Sequence, residues 1–282
     1  MLGAAAGAAY PVMEAHAYRL VRHRVETPGP RLSVLHISDM HLGTRKRKLA
    51  RWLKGLPERI GEPPDLVITT GDLIEDDSGI EPIVDALAGC RGTLGRYYVL
   101  GSHDYYQSTL RGLASGVRRL YSGPRGPVTV RPADVARLEA GLKGAGWKSL
   151  INTTDVVETA TGTVGLTGVH DPFMRRHTVD HIRRSKTDRL AIGVMHSPDI
   201  VSEWVLAGFD LVLAGHTHGG QVRLPVAGAV VTNCTLPAGL ASGVHKIGAS
   251  RLHVSPGLGT GKFAPLRFLC PPEATLLEIG EG

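Results

Sequence analysis

The chain has 282 residues, of which 42% are hydrophobic and 21% are charged, so it can bury a sizeable core as one large domain or two small ones. This composition excludes a wholly disordered protein. The formal net charge of +6 attracts phosphate esters, nucleic acid and anionic lipid alike, and it does not choose among them. The three cysteines form no C-x-x-C pair, which predicts a reducing compartment and no disulfide framework.

Residues 1–31 are interpreted as an N-terminal apolar segment followed by a lead-in strand. The apolar part, residues 1–13, is shorter than the roughly 20 residues that a membrane span requires. It also lacks the basic leader of a signal peptide. We therefore expect a cytoplasmic protein. The open alternative is membrane association through this segment, as the end of an anchor that begins upstream.

Five apolar runs each stop at a polar residue with metal-binding chemistry. Short apolar runs bounded by glycine and polar residues are typical of buried strands, so each run predicts one strand. The runs cover residues 32–37, 66–70, 97–100, 190–195 and 211–214.

Helical spacing separates several of these runs, with apolar faces over residues 49–56, 80–87 and 135–142 and a helix between Ser197 and Gly208. Strands that alternate with helices predict an α/β fold with largely parallel pairing. In such sheets, ligands bind at the carboxyl ends of the strands, where each polar cluster falls.

Two further segments depart from the alternating pattern. Residues 105–131 contain glycines, prolines and several arginines, which predicts an irregular cap beside the site. After Gly220 the chain contains short strands and turns, which predict a second sheet packed on the first. Residues 32–282 are therefore predicted to form a single domain that includes this cap.

The strand ends carry a mixed set of carboxylates, imidazoles and one hydroxyl, with no thiolate. Such donors suit Mn, Fe, Zn or Co better than Cu(I) or an iron–sulfur cluster, and Mg is a further candidate. The candidate residues are Asp39 and His41 in D-x-H, Asp72 in G-D, Ser102, His103 and Asp104 in G-S-H-D, His196 before Ser-Pro, and His216 and His218 in G-H-T-H.

There are more donors here than one four-coordinate ion needs. Two ions about 3.5–4 Å apart, bridged by the Asp72 carboxylate, would use them all. Water between two cations loses a proton near neutral pH, and the cations neutralise the charge of a phosphoryl group in transfer. The pattern therefore favours hydrolysis of a phosphate ester by a hydroxide that bridges two metal ions, with phosphodiesters ahead of phosphomonoesters.

The ordered motifs D-M-H, G-D, G-S-H-D, M-H and G-H-T-H-G-G-Q resemble those of the calcineurin-like metallophosphoesterases. The last motif is similar to that of the bacterial phosphodiesterase-like branch. The resemblance covers the chain from about residue 32 onward. It implies an α/β fold in which two packed β-sheets are flanked by helices.

The resemblance also implies a role for each motif residue. His103 would be the general acid or would stabilise the phosphoryl oxygen, and Asp104 would orient His103. The first metal would be held by Asp39, His41, Asp72 and His218, and the second by Asp72, His196 and His216.

Ser102 stands where the family usually has an asparagine that binds the second metal. A hydroxyl reaches less far than an amide carbonyl and coordinates more weakly. Either a water completes the second site or its metal binds loosely.

Three alternatives to a phosphodiesterase remain open. The changed ligand position at Ser102 suggests a non-catalytic scaffold on the same fold. The apolar N-terminus and the basic runs, which include residues 45–48, suggest a hydrolase of lipid-linked pyrophosphate. A nuclease is not favoured, because the 5% aromatic content offers few platforms for stacking bases.

Other residues receive plainer interpretations. The run at residues 45–48 is either a solvated helix face or a rim that attracts anions, including an anionic membrane surface. Gly257 and Gly259 are predicted to form a turn, with backbone contact to a phosphate as the alternative. Structural roles are assigned to His16, His36, His245 and His253. The sequence carries no signal for oligomeric state.

Overall fold

A computed structural model describes residues 9–107 and 131–280 of the chain. In chain order the strands are β1 (Arg19–Glu26), β2 (Leu32–Ile37), β3 (Leu66–Thr69), β4 (Gly95–Tyr98), β5 (Tyr106–Gln107), β6 (Arg131–Pro132), β7 (Lys148–Ser149), β8 (Thr153–Thr159), β9 (Gly162–Gly168), β10 (Asp188–Val194), β11 (Leu211–Ala214), β12 (Arg223–Leu224), β13 (Gly228–Ala229), β14 (Gly243–Ile247), β15 (Ser250–Val254) and β16 (Glu273–Gly280). The helices, apart from a helical stretch at residues 9–14, are α1 (Arg47–Lys54), α2 (Leu56–Ile60), α3 (Ile80–Leu87), α4 (Ser102–Tyr105), α5 (Val135–Gly144) and α6 (Val201–Leu206).

Most of these strands belong to two six-stranded sheets of the described residues. The first has the order β1-β16-β2-β3-β4-β7, in which β2, β3, β4 and β7 are parallel. The second has the order β14-β15-β11-β10-β9-β8, in which β9, β10, β11 and β15 are parallel. Parallel strands end at a common edge, so the polar residues that follow them in each sheet are brought together.

Apolar contacts join the sheets to each other and to the helices. Val34 and Ile68 of the first sheet pack with Ile192 of the second in the core between the sheets. Leu53 of α1 belongs to a cluster on the outer face of the first sheet, together with side chains of α3 and α5. Trp204 of α6 packs on the outer face of the second sheet. The predicted fold, α/β with two packed sheets flanked by helices, is confirmed.

The predicted strand bounds are close to those observed. Residues 70 and 99 were expected inside strands and lie just beyond β3 and β4. Their main chains continue the pairing, since the N–H of Thr70 donates to Ile37 and that of Val99 donates to Thr69. The predicted helical face at residues 49–56 is divided at Gly55 into α1 and α2.

The expectation that the chain after Gly220 forms the second sheet is only partly correct. β14 and β15 join that sheet, whereas β16 returns to the first sheet and lies between β1 and β2. The second sheet also contains β8 to β11. An apolar strand pattern shows which residues are buried and does not show which neighbour they pair with, so the partner of β16 was not encoded locally.

The predicted lead-in strand is β1, which pairs in parallel with β16 from Arg19 opposite Glu273 to Glu26 opposite Gly280. Most of the predicted cap, residues 108–130, lies outside the described residues. Its two ends are joined by the antiparallel pair β5 and β6. None of the described helices is long and apolar enough to cross a membrane.

Two histidines face each other in the core between the sheets. His36 of β2 and His253 of β15 are fully buried, and their Nδ1 atoms are 2.7 Å apart. Burial lowers the pKa of His36 from 6.5 to about 3, and burial and then His36 lower the pKa of His253 well below its usual value. Both imidazoles are therefore neutral at neutral pH.

This depressed pKa predicts a loss of stability in acid. Between pH 6.5 and 3 the unfolded protein binds a proton at His36 that the folded protein does not. The contribution of neutral His36 to the free energy of unfolding is therefore fully present above pH 6.5 and is lost as the pH falls. Urea unfolding of metal-free wild type and His36→Gln measures it. We expect the stability advantage of wild type to fall by about 1.4 kcal/mol per pH unit from pH 6 to 4. A difference that does not vary with pH would contradict the assignment.

Candidate metal centre

The predicted ligands follow strands from both sheets. Asp39 and His41 come after β2, and Asp72 comes after β3. His196 comes after β10, and the G-H-T-H motif comes after β11. Main-chain hydrogen bonds hold the first two loops together, because the N–H of Asp39 donates to Gly71 and that of His41 donates to Asp72.

Five of the predicted ligands have a backbone conformation that is uncommon for residues other than glycine. Their φ angles are positive, which costs each residue roughly 1–3 kcal/mol and is typical of functional sites. They make up five of the eleven such residues in the described chain, so the strain is concentrated here. The five are Asp39 (51°), His41 (46°), Asp72 (51°), His216 (71°) and His218 (49°).

One cluster of donor atoms comprises Asp39, His41 and His218, whose ligand atoms lie within 4.8 Å of one another. The Nε2 atoms of His41 and His218 are 3.1 Å apart, and their rings stack with centroids 5.0 Å apart. Nε2 of His218 is 3.7 Å from Oδ1 of Asp39. Two imidazole nitrogens that face each other beside a carboxylate fit a shared cation.

Two further clusters share Asp72. One comprises His41, Asp72 and His103, and the other Asp39, Asp72 and His196. Oδ2 of Asp72 is 3.5 Å from Nε2 of His41 and 3.4 Å from Nε2 of His196. Oδ1 of Asp72 accepts a hydrogen bond from the main-chain N–H of His103 at 2.9 Å. Asp72 thus belongs to two of the three clusters, and its role as a bridging ligand stays a prediction.

A comparison with known families decides the assignment of the chain. Residues 32–220 match the family model described as calcineurin-like phosphoesterase. The chain belongs to this family. It is a metallophosphoesterase by family, with a candidate metal site at the strand ends.

Relatives of this phosphoesterase include proteins of similar length from several bacteria. The uncharacterized metallophosphoesterase YkoQ of Bacillus subtilis is 26% identical over 88% of this chain and 84% of its own. A metallophosphoesterase of Aquifex aeolicus is 27% identical over 97% of both chains. The phosphodiesterase YaeI of Escherichia coli is 27% identical over 93% of this chain and 88% of its own.

The electrostatics of the phosphoesterase site favour a bound cation. Burial acts to raise the pKa of Asp72, but the imidazoles of His196, His103 and His41 hold it well below its usual value. Burial acts to lower the pKa of His196, but Asp72 and then Asp171 hold it well above its usual value. The carboxylates that favour a proton on His196 would equally favour a metal ion beside its Nε2.

Hydrogen bonds orient the imidazole rings for coordination. Nδ1 of His196 is 2.6 Å from the carbonyl oxygen of Thr70, so it carries the proton and leaves Nε2 facing Asp72. Nε2 of His216 is 3.1 Å from the carbonyl oxygen of Asn233, and its Nδ1 is 3.3 Å from Nε2 of His196. Each ring therefore turns its other nitrogen toward the predicted ligands, which is the orientation that coordination requires.

His218 is competent as a neutral ligand. Burial, then His41 and Arg267, lower its pKa well below the usual value, so the ring is unprotonated at neutral pH. The donor set as a whole, with buried carboxylates and imidazoles in overlapping clusters, fits the ions proposed from sequence.

Asp104 makes contacts that the sequence did not predict. Its Oδ1 accepts hydrogen bonds from the N–H groups of Leu73 and Ile74 at 2.8 and 3.0 Å, and its Oδ2 accepts one from Gly101 at 3.0 Å. The Asp104 side chain therefore holds the backbone of the loop that follows Asp72. Its expected role in orienting His103 stays a prediction, as does coordination by Ser102, which begins α4 and is partly buried.

Two further buried carboxylates lie at this site outside the predicted ligand set, and Glu75 was not predicted from sequence. Oε2 of Glu75 is 3.3 Å from Nδ1 of His41, a contact that resembles the carboxylate–histidine pairs of metal centres. Asp171 is fully buried, accepts a hydrogen bond from the N–H of Phe173 and raises the pKa of His196. Glu75 follows Asp72 by three residues, but a lone acid at that spacing is a weak signal.

The P-G-L-G-T segment packs against the site through its backbone. The N–H of Leu258 donates to Ser38 and that of Gly259 donates to Asp39. Gly257 lies so close to Asp39 that a Cβ there would be 2.6 Å from the Asp39 Cβ. The glycines therefore allow close packing beneath a ligand, and these two amides are not free for a phosphate.

The contacts of Asp104 predict a large effect on stability. Asp104→Ala leaves three buried N–H groups without an acceptor, at roughly 1–3 kcal/mol each, so we expect a loss of about 3 kcal/mol or more in metal-free protein. Asp134→Ala is the matched control, since Asp134 is exposed and accepts from Arg137 at the start of α5. It should cost about 1 kcal/mol. Equal losses in urea unfolding would show that the buried amides contribute nothing special.

Proposed function

We propose that this phosphoesterase hydrolyses phosphate esters, with phosphodiesters ahead of phosphomonoesters, at a centre of two metal ions. The observation that carries the proposal is the overlap of three donor clusters at Asp39, His41 and Asp72. A single ion would not need the donors of all three clusters. The relative YaeI of Escherichia coli is a phosphodiesterase, which supports the preference for diesters.

The chain would divide its ligands between two positions. Asp39, His41, Asp72 and His218 are proposed for the first ion, and Asp72, His196, His216 and Ser102 for the second. Ions of the Mn, Fe, Zn or Co type, or Mg, held by these residues would activate water at neutral pH and neutralise the charge of the phosphoryl group. Oδ2 of Asp72 lies 3.5 Å from Nε2 of His41 and 3.4 Å from Nε2 of His196, and these similar distances support its proposed role as the shared ligand.

His103 is proposed to contact the phosphoryl group of the substrate. Its ring lies at an edge-to-face angle to His41, with centroids 4.7 Å apart. Burial lowers its pKa, against the opposing effect of Asp72, so a neutral ring prevails at neutral pH. Of the two roles expected from sequence, the lowered pKa favours hydrogen-bond donation to a phosphoryl oxygen over general-acid catalysis by an imidazolium.

A basic cavity supports an anionic substrate. A cavity of about 560 Å³ is lined by residues 45–48, Lys262, Glu75 and the proposed ligand His41. Burial lowers the pKa of Lys46 to about 8, and its Nζ donates to the carbonyl oxygen of Thr260. This placement favours interpreting the run at residues 45–48 as an anion-attracting rim, rather than only a solvated helix face.

The same cavity favours a second candidate function, hydrolysis of a lipid-linked pyrophosphate. Its other walls include the apolar side chains of Tyr18, Leu49, Leu258 and Pro265, which fit an apolar group next to the anion. The helical residues 9–14 expose Val12 and Met13, and that exposure supports peripheral contact with an anionic membrane. Nucleic acid is not favoured as a substrate.

The test of the proposal compares chelator-stripped protein with protein reloaded with Mn, Fe, Zn, Co or Mg. Aryl phosphodiester, aryl phosphomonoester, a detergent-dispersed lipid pyrophosphate and single-stranded DNA are the substrates. We expect activity to vanish on stripping, to return with a particular ion, and to be highest on the aryl diester. Tight metal binding without hydrolysis of any of these substrates would instead indicate a very narrow substrate range, and no metal binding at all would favour the non-catalytic scaffold.

Asp72→Ala should abolish nearly all of this activity and at least one bound metal. The loss of a ligand to both ions removes several kcal/mol of transition-state stabilisation, which corresponds to roughly 10³-fold or more in rate. Asp85→Ala is the control, because Asp85 is an exposed carboxylate of α3 that pairs with Lys54. Full metal content and wild-type turnover in Asp72→Ala would refute the site.

Ser102→Asn should tighten the second metal. An amide carbonyl reaches further than a hydroxyl and is the ligand that the family usually has, so we expect roughly tenfold tighter binding, or about 1.4 kcal/mol. Metal titration by calorimetry measures it, with Ser202→Asn on the exposed surface of α6 as the control. Weaker binding in Ser102→Asn would place Ser102 outside the coordination shell.

A further inference from the structure

We propose that a directional chain of hydrogen bonds from the protein core positions the carboxylate of Asp39 for metal binding. In order, its members are His253, His36, Thr70, Ser38 and Asp39. The inference rests on the proposed role of Asp39 as a metal ligand. It gives four residues outside the ligand set a positioning role in the site.

The hydrogen-bond chain crosses from the second sheet to the first. Nδ1 of His253 is 2.7 Å from Nδ1 of His36, and Nε2 of His36 is 2.9 Å from Oγ1 of Thr70. Oγ1 of Thr70 is 2.7 Å from Oγ of Ser38, which is 2.5 Å from Oδ2 of Asp39. All five residues are fully buried, so water does not compete for these contacts.

The direction of every bond follows from the ionised carboxylate of Asp39, which can only accept. Ser38 must therefore donate its single hydroxyl proton to Asp39, and so it accepts from Thr70. Thr70 in turn has used its own proton and must accept from Nε2–H of His36. A neutral imidazole carries one proton, so Nδ1 of His36 accepts from Nδ1–H of His253.

The His253 end of the hydrogen-bond chain favours the same direction of donation, from His253 toward Asp39. With its proton on Nδ1, His253 has an unprotonated Nε2, and within the described residues that atom has no hydrogen-bond partner. The opposite direction would place an N–H there without an acceptor, and a buried donor left unpaired is rarer than an under-satisfied acceptor. The neutrality of both rings, which follows from their lowered pKa values, allows a single proton on each.

The hydrogen-bond chain contacts one oxygen of Asp39, and the main-chain N–H of His216 donates to both oxygens at 3.1 and 3.0 Å. Ser38 contacts Oδ2, whereas Oδ1 is the oxygen that lies 3.7 Å from Nε2 of His218. The main-chain carbonyl of Thr70 also accepts from Nδ1 of His196. Thr70 therefore orients a proposed ligand of each ion, one through its side chain and one through its backbone.

The tautomers test the chain without any bound metal. In metal-free wild-type protein, ¹⁵N NMR of the histidine side chains should show His36 protonated at Nε2 and His253 protonated at Nδ1. Either ring protonated at the other nitrogen would overturn the proposal. This measurement needs no substitution, so it stands even if a variant fails to fold.

Metal affinity tests the consequence for Asp39. Zn²⁺ titration should show that Ser38→Ala and Thr70→Val weaken the tighter site by about tenfold or more, in the range seen for residues that support metal ligands. Thr69→Val is the matched control, because Thr69 is the neighbour of Thr70 at the end of β3, is equally buried, and its hydroxyl has no partner among the described residues. It should change affinity less than twofold, and Thr70→Ser should restore wild-type binding.

The outcomes separate this inference from the proposed function. If Asp39→Ala weakens Zn²⁺ binding and Thr70→Val does not, the assignment of Asp39 as a metal ligand holds and the proposed positioning role of the hydrogen-bond chain is wrong. If Asp39→Ala leaves Zn²⁺ binding unchanged, the metal assignment fails and the inference fails with it. Weakening in Asp39→Ala, Ser38→Ala and Thr70→Val together, with wild-type binding in Thr69→Val, is the expected result.

Discussion

Asp39 and Asp72 are buried carboxylates whose oxygens lie within 4.8 Å of each other and of His196. Two like charges at that separation in the interior repel and lose their hydration, so the fold must supply compensation. Imidazoles, main-chain amides and a buried hydroxyl do so from several sides. The positive φ angles and the buried amide contacts of the site are consequences of gathering these acids at one edge.

Close approach of the loops depends on residues without side chains. A Cβ on Gly101 would overlap Oδ1 of Asp72 and the ring of His196, and one on Gly215 would overlap Ser38 and Asp39. Since no rearrangement of a flexible side chain would relieve both contacts, glycine is required for the strand ends of the two sheets to meet. The basic run that lines the cavity beside His41 begins in the loop after β2 and continues into α1.

Much of the fold could be predicted from local pattern. The apolar runs located the central strands, because a strand buried on both faces has a nearly continuous apolar sequence. The pairing of β16 with β1 and β2 could not be predicted in this way, since it joins residues about 250 positions apart in the register of Arg19 and Glu273. The apolar spacing of residues 49–56 also did not predict the division at Gly55, where α1 ends and α2 begins.

The sequence by itself determined which residue types meet at the strand ends, because strand direction places each polar terminus at the same edge of a parallel sheet. That was enough to predict Asp72 as a shared ligand. Only the tertiary structure decided what supports those ligands. Asp104 binds backbone amides, Glu75 contacts His41, and His36 meets His253 across the sheets. Such contacts join distant segments, so their geometry depends on how the two sheets pack and leaves no local pattern.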